Sequence, residues 1–186
     1  MTRWAFLGAG AMAGAMVRGL IASGLAAPAE ITCIGGNDPT ASNLARETGI
    51  AAATDFGQLL AGADVLILAC KPQNLAALPA ELSRLTEGRL VISIVAGKRI
   101  ETLRRLFPAA RNIVRVMPNT PAQIGAGVSG WCSAQPLAES DRAVTLTLQR
   151  PRHRELQGAG DEGDVLLVPL LELVLQRAER GQAADP

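Results

Sequence analysis

The chain has 186 residues, 18 Lys and Arg against 17 Asp and Glu, a formal charge of +1, and 48% hydrophobic against 3% aromatic residues. That length supplies one sizeable core, or one domain plus a remnant of another. Balanced and scattered charge gives no stripe to neutralise a phosphate backbone and no polybasic membrane patch, so neither nucleic acid nor a membrane surface is expected as a partner.

In chain order, short β-type runs alternate with segments of helical period. Trp4 to Leu7 is apolar and ends at Gly8-Ala9-Gly10; Ala11 to Ser23 then reads as a helix stopped by Gly24. Glu30 to Ile34 follows as a strand, Thr40 to Thr48 as a helix, and Asp64 to Cys70 (DVLILAC) as a continuous apolar strand. A run of that kind suits a strand buried on both faces of a parallel sheet. Leu75 to Leu85 is helical in pattern, Arg89 to Val95 (RLVISIV) is a further buried strand, Ile100 to Phe107 a short helix and Asn112 to Val116 a strand. This βαβα alternation predicts an α/β fold with a doubly wound, mostly parallel sheet of the dinucleotide-binding type.

The alternation stops near Asp141. RPRHRELQGAGDEGD is polar and turn-rich, and the apolar stretch Val165 to Leu175 is interrupted by Pro169 and Glu172 and is about half the ~20 residues of a membrane span. The expected organisation is a nucleotide-binding domain over residues 1–142, with residues 143–186 as an atypical tail holding a linker and one apolar helix. The N-terminus enters its first strand without a secretory apolar segment, so a cytoplasmic address is expected. Cys33, Cys70 and Cys132 make an odd count without CxxC spacing and read as small buried apolar residues. No metal site is expected, and the single His153 reads as solvated.

The chemistry concentrates at the strand ends. Gly8-Ala9-Gly10-Ala11-Met12-Ala13 fits G-x-G-x-x-[G/A] after a strand and at the opening of a helix. The first glycine permits the turn, the second admits a pyrophosphate, and the small third residue lets the helix pack closely, with its N-terminal amides facing the phosphates. Gly35-Gly36-Asn37-Asp38-Pro39-Thr40 ends the second strand with no acid immediately after it and no Arg in the turn. That leans to NADP, while Asp38 keeps NAD open; Asn37 is a candidate cofactor contact. Lys71-Pro72-Gln73 leaves the third apolar strand, and Lys71 is one of only two lysines. Ala96-Gly97-Lys98 and Met117-Pro118-Asn119-Thr120-Pro121 leave the next two. Carboxyl ends of parallel strands are where such sheets bind ligands. There is no G-x-S-x-G elbow and no G-x-x-x-x-G-K-[S/T] loop, so hydrolase and kinase classes find no support.

These segments resemble a known family. GAGAMA, DVLILACKPQ, LVISIVAGKRIETL and above all IVRVMPNTPAQIGAGVSG are similar, in this order, to pyrroline-5-carboxylate reductase, from about Trp4 to about Arg142. The resemblance implies reduction of the ring C=N of 1-pyrroline-5-carboxylate to L-proline by hydride from NADPH, or from NADH. It further implies pyrophosphate contacts from Gly8, Ala9, Gly10, Ala11 and Met12, a nucleotide border at Ala69, Cys70, Lys71 and Pro72, and nicotinamide neighbours at Ala96 and Gly97. Asn119 would be a positioning residue near ring and substrate.

Three departures accompany it. Ala11 stands where the family commonly has Asn or Gln, and Phe56 where it often has Asn. Nothing after Arg142 matches the all-helical domain that in the family supplies the homo-oligomer interface and contacts to the substrate carboxylate. The expectation drawn from this is a truncated or frame-shifted end. The competing readings are a non-catalytic dinucleotide-binding remnant and a related NAD(P)- or coenzyme F420-dependent dehydrogenase.

Overall fold

The computed structural model describes residues 1–118 and 129–147. Seven strands form one sheet in the order β3-β2-β1-β4-β5-β6-β7: β1 Trp4–Leu7, β2 Ile31–Ile34, β3 Ala51–Ala52, β4 Val65–Leu68, β5 Leu90–Ser93, β6 Asn112–Pro118 and β7 Ser129–Ser133. Every neighbouring pair from β3 to β6 is parallel, and only β7 runs antiparallel, pairing Arg115 with Cys132 and Val116 with Trp131. The helices are α1 Ala11–Ala22, α2 Thr40–Thr48, α3 Phe56–Leu60, α4 Ala80–Leu85, α5 Ile100–Leu106 and α6 Glu139–Thr147. The expected doubly wound α/β architecture is present.

The apolar strand runs are continuous because both sheet faces are covered. Along β1 and β4 successive side chains alternate between two cores. Phe6, Val65 and Ile67 pack with Ala13, Val17 and Leu20 of α1, whereas Ala5, Leu7, Leu66 and Leu68 pack with Leu59, Leu82 and Leu103 of α3, α4 and α5. Each fully buried Leu or Ile contributes about 1.5–3 kcal/mol relative to exposure, so these two central strands anchor the fold. Val144 of α6 packs with the first core.

Five elements differ from the sequence reading. The single helix expected over Leu75 to Leu85 is a 3₁₀ turn, Asn74–Ala77, followed by α4. Pro79 causes the break: it lacks an amide hydrogen and stands extended, at ψ 147°, as the residue before α4. β3 and α3 were not foreseen; two exposed alanines and five residues carry too little periodicity. β7 was missed because its glycine-rich approach hides an antiparallel edge strand. Helix α6, Glu139–Thr147, was likewise not foreseen.

An ion pair ties α6 to the amino edge of the sheet. Arg111, just before β6, donates from Nε to both Asp141 carboxylate oxygens at 3.2 Å and from an Nη to Oδ1 at 2.7 Å, and its other Nη donates to the Gly88 carbonyl at 2.9 Å. Asp141 is buried, so this bidentate pair is partly desolvated. Among the described residues no helix is long and apolar enough to cross a membrane.

Candidate dinucleotide site at the carboxyl edge of the sheet

Strand order reverses at β1, which has β2 on one side and β4 on the other. Such a switch point opens a crevice beyond the carboxyl ends of the strands. The glycine loop lies there. Gly8 donates its amide to the Ile34 carbonyl at 2.8 Å, and the Leu7 carbonyl accepts from the Ala69 amide at 2.9 Å, so the exits of β2, β1 and β4 are bonded side by side.

Gly8 and Gly10 are glycines for different reasons. At Gly8 φ is +112°, and a Cβ there would lie 2.5 Å from the Ala69 carbonyl oxygen and 2.8 Å from the Cys70 nitrogen. The protein itself demands that glycine. At Gly10 the backbone is ordinary extended chain, φ −71° and ψ −176°, and a Cβ would meet nothing within 4 Å. Nothing inside the fold requires a glycine at this exposed position. Gly10 precedes α1 and offers no side chain to cap it, and no acid occupies the first turn. The first intrahelical bond runs from the Gly14 amide to the Gly10 carbonyl at 2.9 Å. The amides of Ala11, Met12 and Ala13 therefore lack intrahelical acceptors and face outward with the positive end of the helix dipole. Ala13, the small third residue of the motif, is 1% exposed and lets α1 press onto β1.

At the β2 exit, a Cβ on Gly35 would lie 3.0 Å from the Ala41 Cβ, so close seating of α2 crowds a side chain in the position that follows the strand. Asn37 is exposed. Asp38 turns back on its own chain, accepting from the Thr40 hydroxyl and, at 3.0 Å, from the Thr40 amide. These two bonds, with a smaller contribution from the positive charge of Lys71, hold its carboxyl below the usual range. The β2 turn and the β4 exit lie at the same carboxyl edge of the parallel sheet, on either side of β1, and form one rim.

Along that rim, Ala69 and Cys70 are half-buried, and Lys71, Pro72, Ala96 and Gly97 are exposed. Cys70 and Cys132 are therefore not the buried residues expected from sequence; of the three thiols only Cys33 is buried. Burial pushes the Cys33 and Cys70 thiols up from their ordinary value. Gly97 has φ +71° and turns the chain from β5 toward α5. Phe56 opens α3 and packs on the second core. Asn119 lies outside the described residues, as does the stretch Val165 to Leu175. Arg115, in the middle of β6, is the residue that sequence reading passed over: it sits inside VRVMPNTP and was read only as part of that motif.

Residues 3–97 match the family model described as NADP oxidoreductase, coenzyme F420-dependent. The chain is 38% identical over 145 residues to a pyrroline-5-carboxylate reductase of Vibrio alginolyticus, covering 77% of this chain and 53% of that one. It is 30% identical over 184 residues to the pyrroline-5-carboxylate reductase of Methanosarcina acetivorans, covering 93% and 68%. Among solved structures, a pyrroline-5-carboxylate reductase from Coxiella burnetii superposes with a TM-score of 0.73 at 28% identity, covering 80% of this chain and 56% of that one. The chain thus spans between half and about two thirds of the length of these relatives. With motif order, sheet topology and relatives in agreement, the chain belongs to the pyrroline-5-carboxylate reductase family.

Proposed function

We propose that this chain binds NADPH along the carboxyl edge of its sheet and takes part in reducing the C=N bond of 1-pyrroline-5-carboxylate to L-proline. The observation that carries the proposal is Gly10: a glycine with no internal steric reason, at the uncapped start of α1, leaves open space of the kind a pyrophosphate fills. Gly8, Ala9, Gly10, Ala11 and Met12 would hold the pyrophosphate, largely through backbone amides, which is why Ala11 can stand where relatives carry an amide side chain. Ala69, Cys70, Lys71 and Pro72 would border the nucleotide, and Ala96 and Gly97 the nicotinamide.

Two features at the β2 exit favour NADPH over NADH. The position that would carry a ribose-binding acid is Gly35, crowded by Ala41, and the nearest acid, Asp38, has its carboxylate engaged by Thr40. Lys71 adds a positive charge to that rim, which suits a 2′-phosphate.

When bound, the cofactor supplies the hydride that adds to the imine carbon, while the ring nitrogen gains a proton. This chain's contribution is to bind and orient, since holding the two reactants at near-attack distance supplies much of the rate. Asn119 is proposed as a positioning residue. We place the dinucleotide-binding unit at residues 1–142, with α6 carrying it on to Thr147, and the remainder as a tail. The cytoplasmic address and homo-oligomeric assembly belong to the same proposal.

The test is a paired measurement on the purified chain: NADPH binding by fluorescence, and pyrroline-5-carboxylate-dependent NADPH oxidation. Binding with turnover is expected. Binding without turnover would leave a dinucleotide-binding module, and failure to bind either dinucleotide would overturn the reading.

A further inference from the structure

Arg115 marks a groove that the described fold leaves open. Across β6 and β7, Arg115 pairs with Cys132 and Met117 with Gly130. Side chains alternate along a strand, so these four stand on the face opposite to Val114, Val116 and Trp131, which lie in the first core. Ile113 and Ala134, on the same face as Arg115, join the second core with Leu103 of α5. Farther along, Arg115 and Cys132 are half-buried and Met117 is exposed. Two cavities lie there, of about 450 and 230 Å³, and both are lined by Arg115 and Cys132, so they make one groove from the start of α5 to Met117.

The two ends of the groove differ in chemistry. At the α5 end Lys98, Arg99 and Arg115 surround a single carboxylate, Glu101. Among the described residues none of these three cations forms an ion pair, and the Arg115 Nε is buried with no hydrogen-bond acceptor. A donor that has lost water and gained no acceptor costs free energy that an incoming carboxylate recovers. At the other end Met117, Trp131 and Cys132 make the wall largely apolar. The occupant that fits is acidic at one end and apolar at the other.

The chain itself holds such a segment. Residues 148–186 follow α6 and lie outside the described residues. Between Arg154 and Arg177 the sequence has Glu155, Asp161, Glu162, Asp164 and Glu172 and no Lys or Arg, and Asp161-Glu162-Gly163-Asp164 runs directly into Val165-Leu166-Leu167-Val168. Fully extended, the stretch from Thr147 to Asp161 spans roughly 45–50 Å, whereas a folded unit of this size has a radius of gyration of about 14 Å. The end of α6 is therefore within reach of the groove. Covalent attachment also raises the local concentration of the segment to the order of millimolar, so a contact too weak to hold a free peptide suffices in the intact chain.

We propose that residues 161–168 dock in this groove, with Asp161, Glu162 and Asp164 toward Lys98, Arg99 and Arg115 and with Val165 to Val168 on Met117 and its neighbours. Charge complementarity selects this occupant over a second copy of the same face, which would set the three cations against themselves across a symmetric contact. The docked segment stands beside Gly97, which lines the groove at its α5 end.

The test is zero-length carbodiimide cross-linking of the full-length chain, as an equal mixture of isotope-labelled and unlabelled protein, read by peptide mass spectrometry. Lys98 should join Asp161, Glu162 or Asp164 within one chain, and Lys71, the other lysine, should not. In the triple variant Asp161→Asn, Glu162→Gln, Asp164→Asn, alkylation of Cys132 should quicken about 3- to 10-fold as the groove opens, while the buried Cys33 stays unreactive and reports an intact core. Joining of Lys98 only between chains assigns the groove to a second copy and overturns the proposal. Equal joining of Lys98 and Lys71, absence of any Lys98 product, or an unchanged Cys132 rate overturns it as well. The cross-linking arm uses the unaltered chain and decides the question by itself if the variant fails to fold.

Discussion

The two motif glycines separate a folding role from a binding role, and one pair of substitutions tests it. Gly8→Ala places a methyl group 2.5 Å from the Ala69 carbonyl oxygen in a backbone at φ +112°. Backbone strain of roughly 1–3 kcal/mol adds to a clash of roughly 1–3 kcal/mol, so the chain should lose about 2–6 kcal/mol of stability. At roughly 2–4 °C per kcal/mol for a chain of this size, the melting temperature should fall by about 4–24 °C. Gly10→Val meets no protein atom within 4 Å and keeps an ordinary extended backbone. Its cost to the unliganded fold is the replacement of a tolerated N-cap residue by a poor one, about 1 kcal/mol at most. Its branched side chain, however, projects into the space in front of the α1 amides. Blocking even one amide-to-phosphate bond removes about 1.5–3 kcal/mol of binding, roughly 10- to 150-fold in affinity. Thermal denaturation without ligand and NADPH titration by fluorescence read the two effects independently. Unchanged NADPH affinity in Gly10→Val would make the loop a turn and nothing more. Unfolding of Gly10→Val as deep as that of Gly8→Ala would show a packing demand that the open space around Gly10 denies.

Three further outcomes follow from the geometry. Leu66→Ala and Ile67→Ala, adjacent and fully buried on opposite faces of β4, should each cost about 3–4 kcal/mol in chemical denaturation; a near-neutral result for either would mean one face is open. Asp141→Ala strips Arg111 of its carboxylate and should destabilise by about 1–3 kcal/mol, less than a fully buried pair because Arg111 is partly exposed, and loss of α6 helicity by amide exchange would accompany it. Asp38 titrates low because Thr40 bonds its charged form, so its contribution is present above the unfolded carboxyl range and is lost as pH falls through the lowered folded value. In Thr40→Val an NMR titration should find the Asp38 carboxyl returned toward its ordinary range, and an unmoved titration would refute the assignment.

What could be read from sequence depended on how strongly burial marks each segment. β1, β4 and β5 are covered on both faces, so WAFL, VLIL and LVIS announce themselves as unbroken apolar runs, and the glycine loop follows from its place after the first of them. Leu75, Leu78, Leu82 and Leu85 mimic a single helical stripe because they do all point inward, but Pro79 forces two short pieces to supply them. The two glycines looked equivalent as letters; only the distance from Gly8 to the β4 exit shows that one serves the fold. As a letter Asp38 kept NAD open; the structure adds that its carboxylate accepts from the Thr40 hydroxyl and amide.

Arg115 is the reverse case, a residue hidden by its motif. In sequence it is one basic letter between valines, and a mid-strand arginine is usually explained by a partner that only three dimensions reveal. Here the third dimension shows a cavity and two more cations instead of a partner. Its Nε is buried without an acceptor, whereas two other arginines among the described residues are paired. Arg111 spends its guanidinium on Asp141, and Arg18 pairs with Glu47 even on the surface.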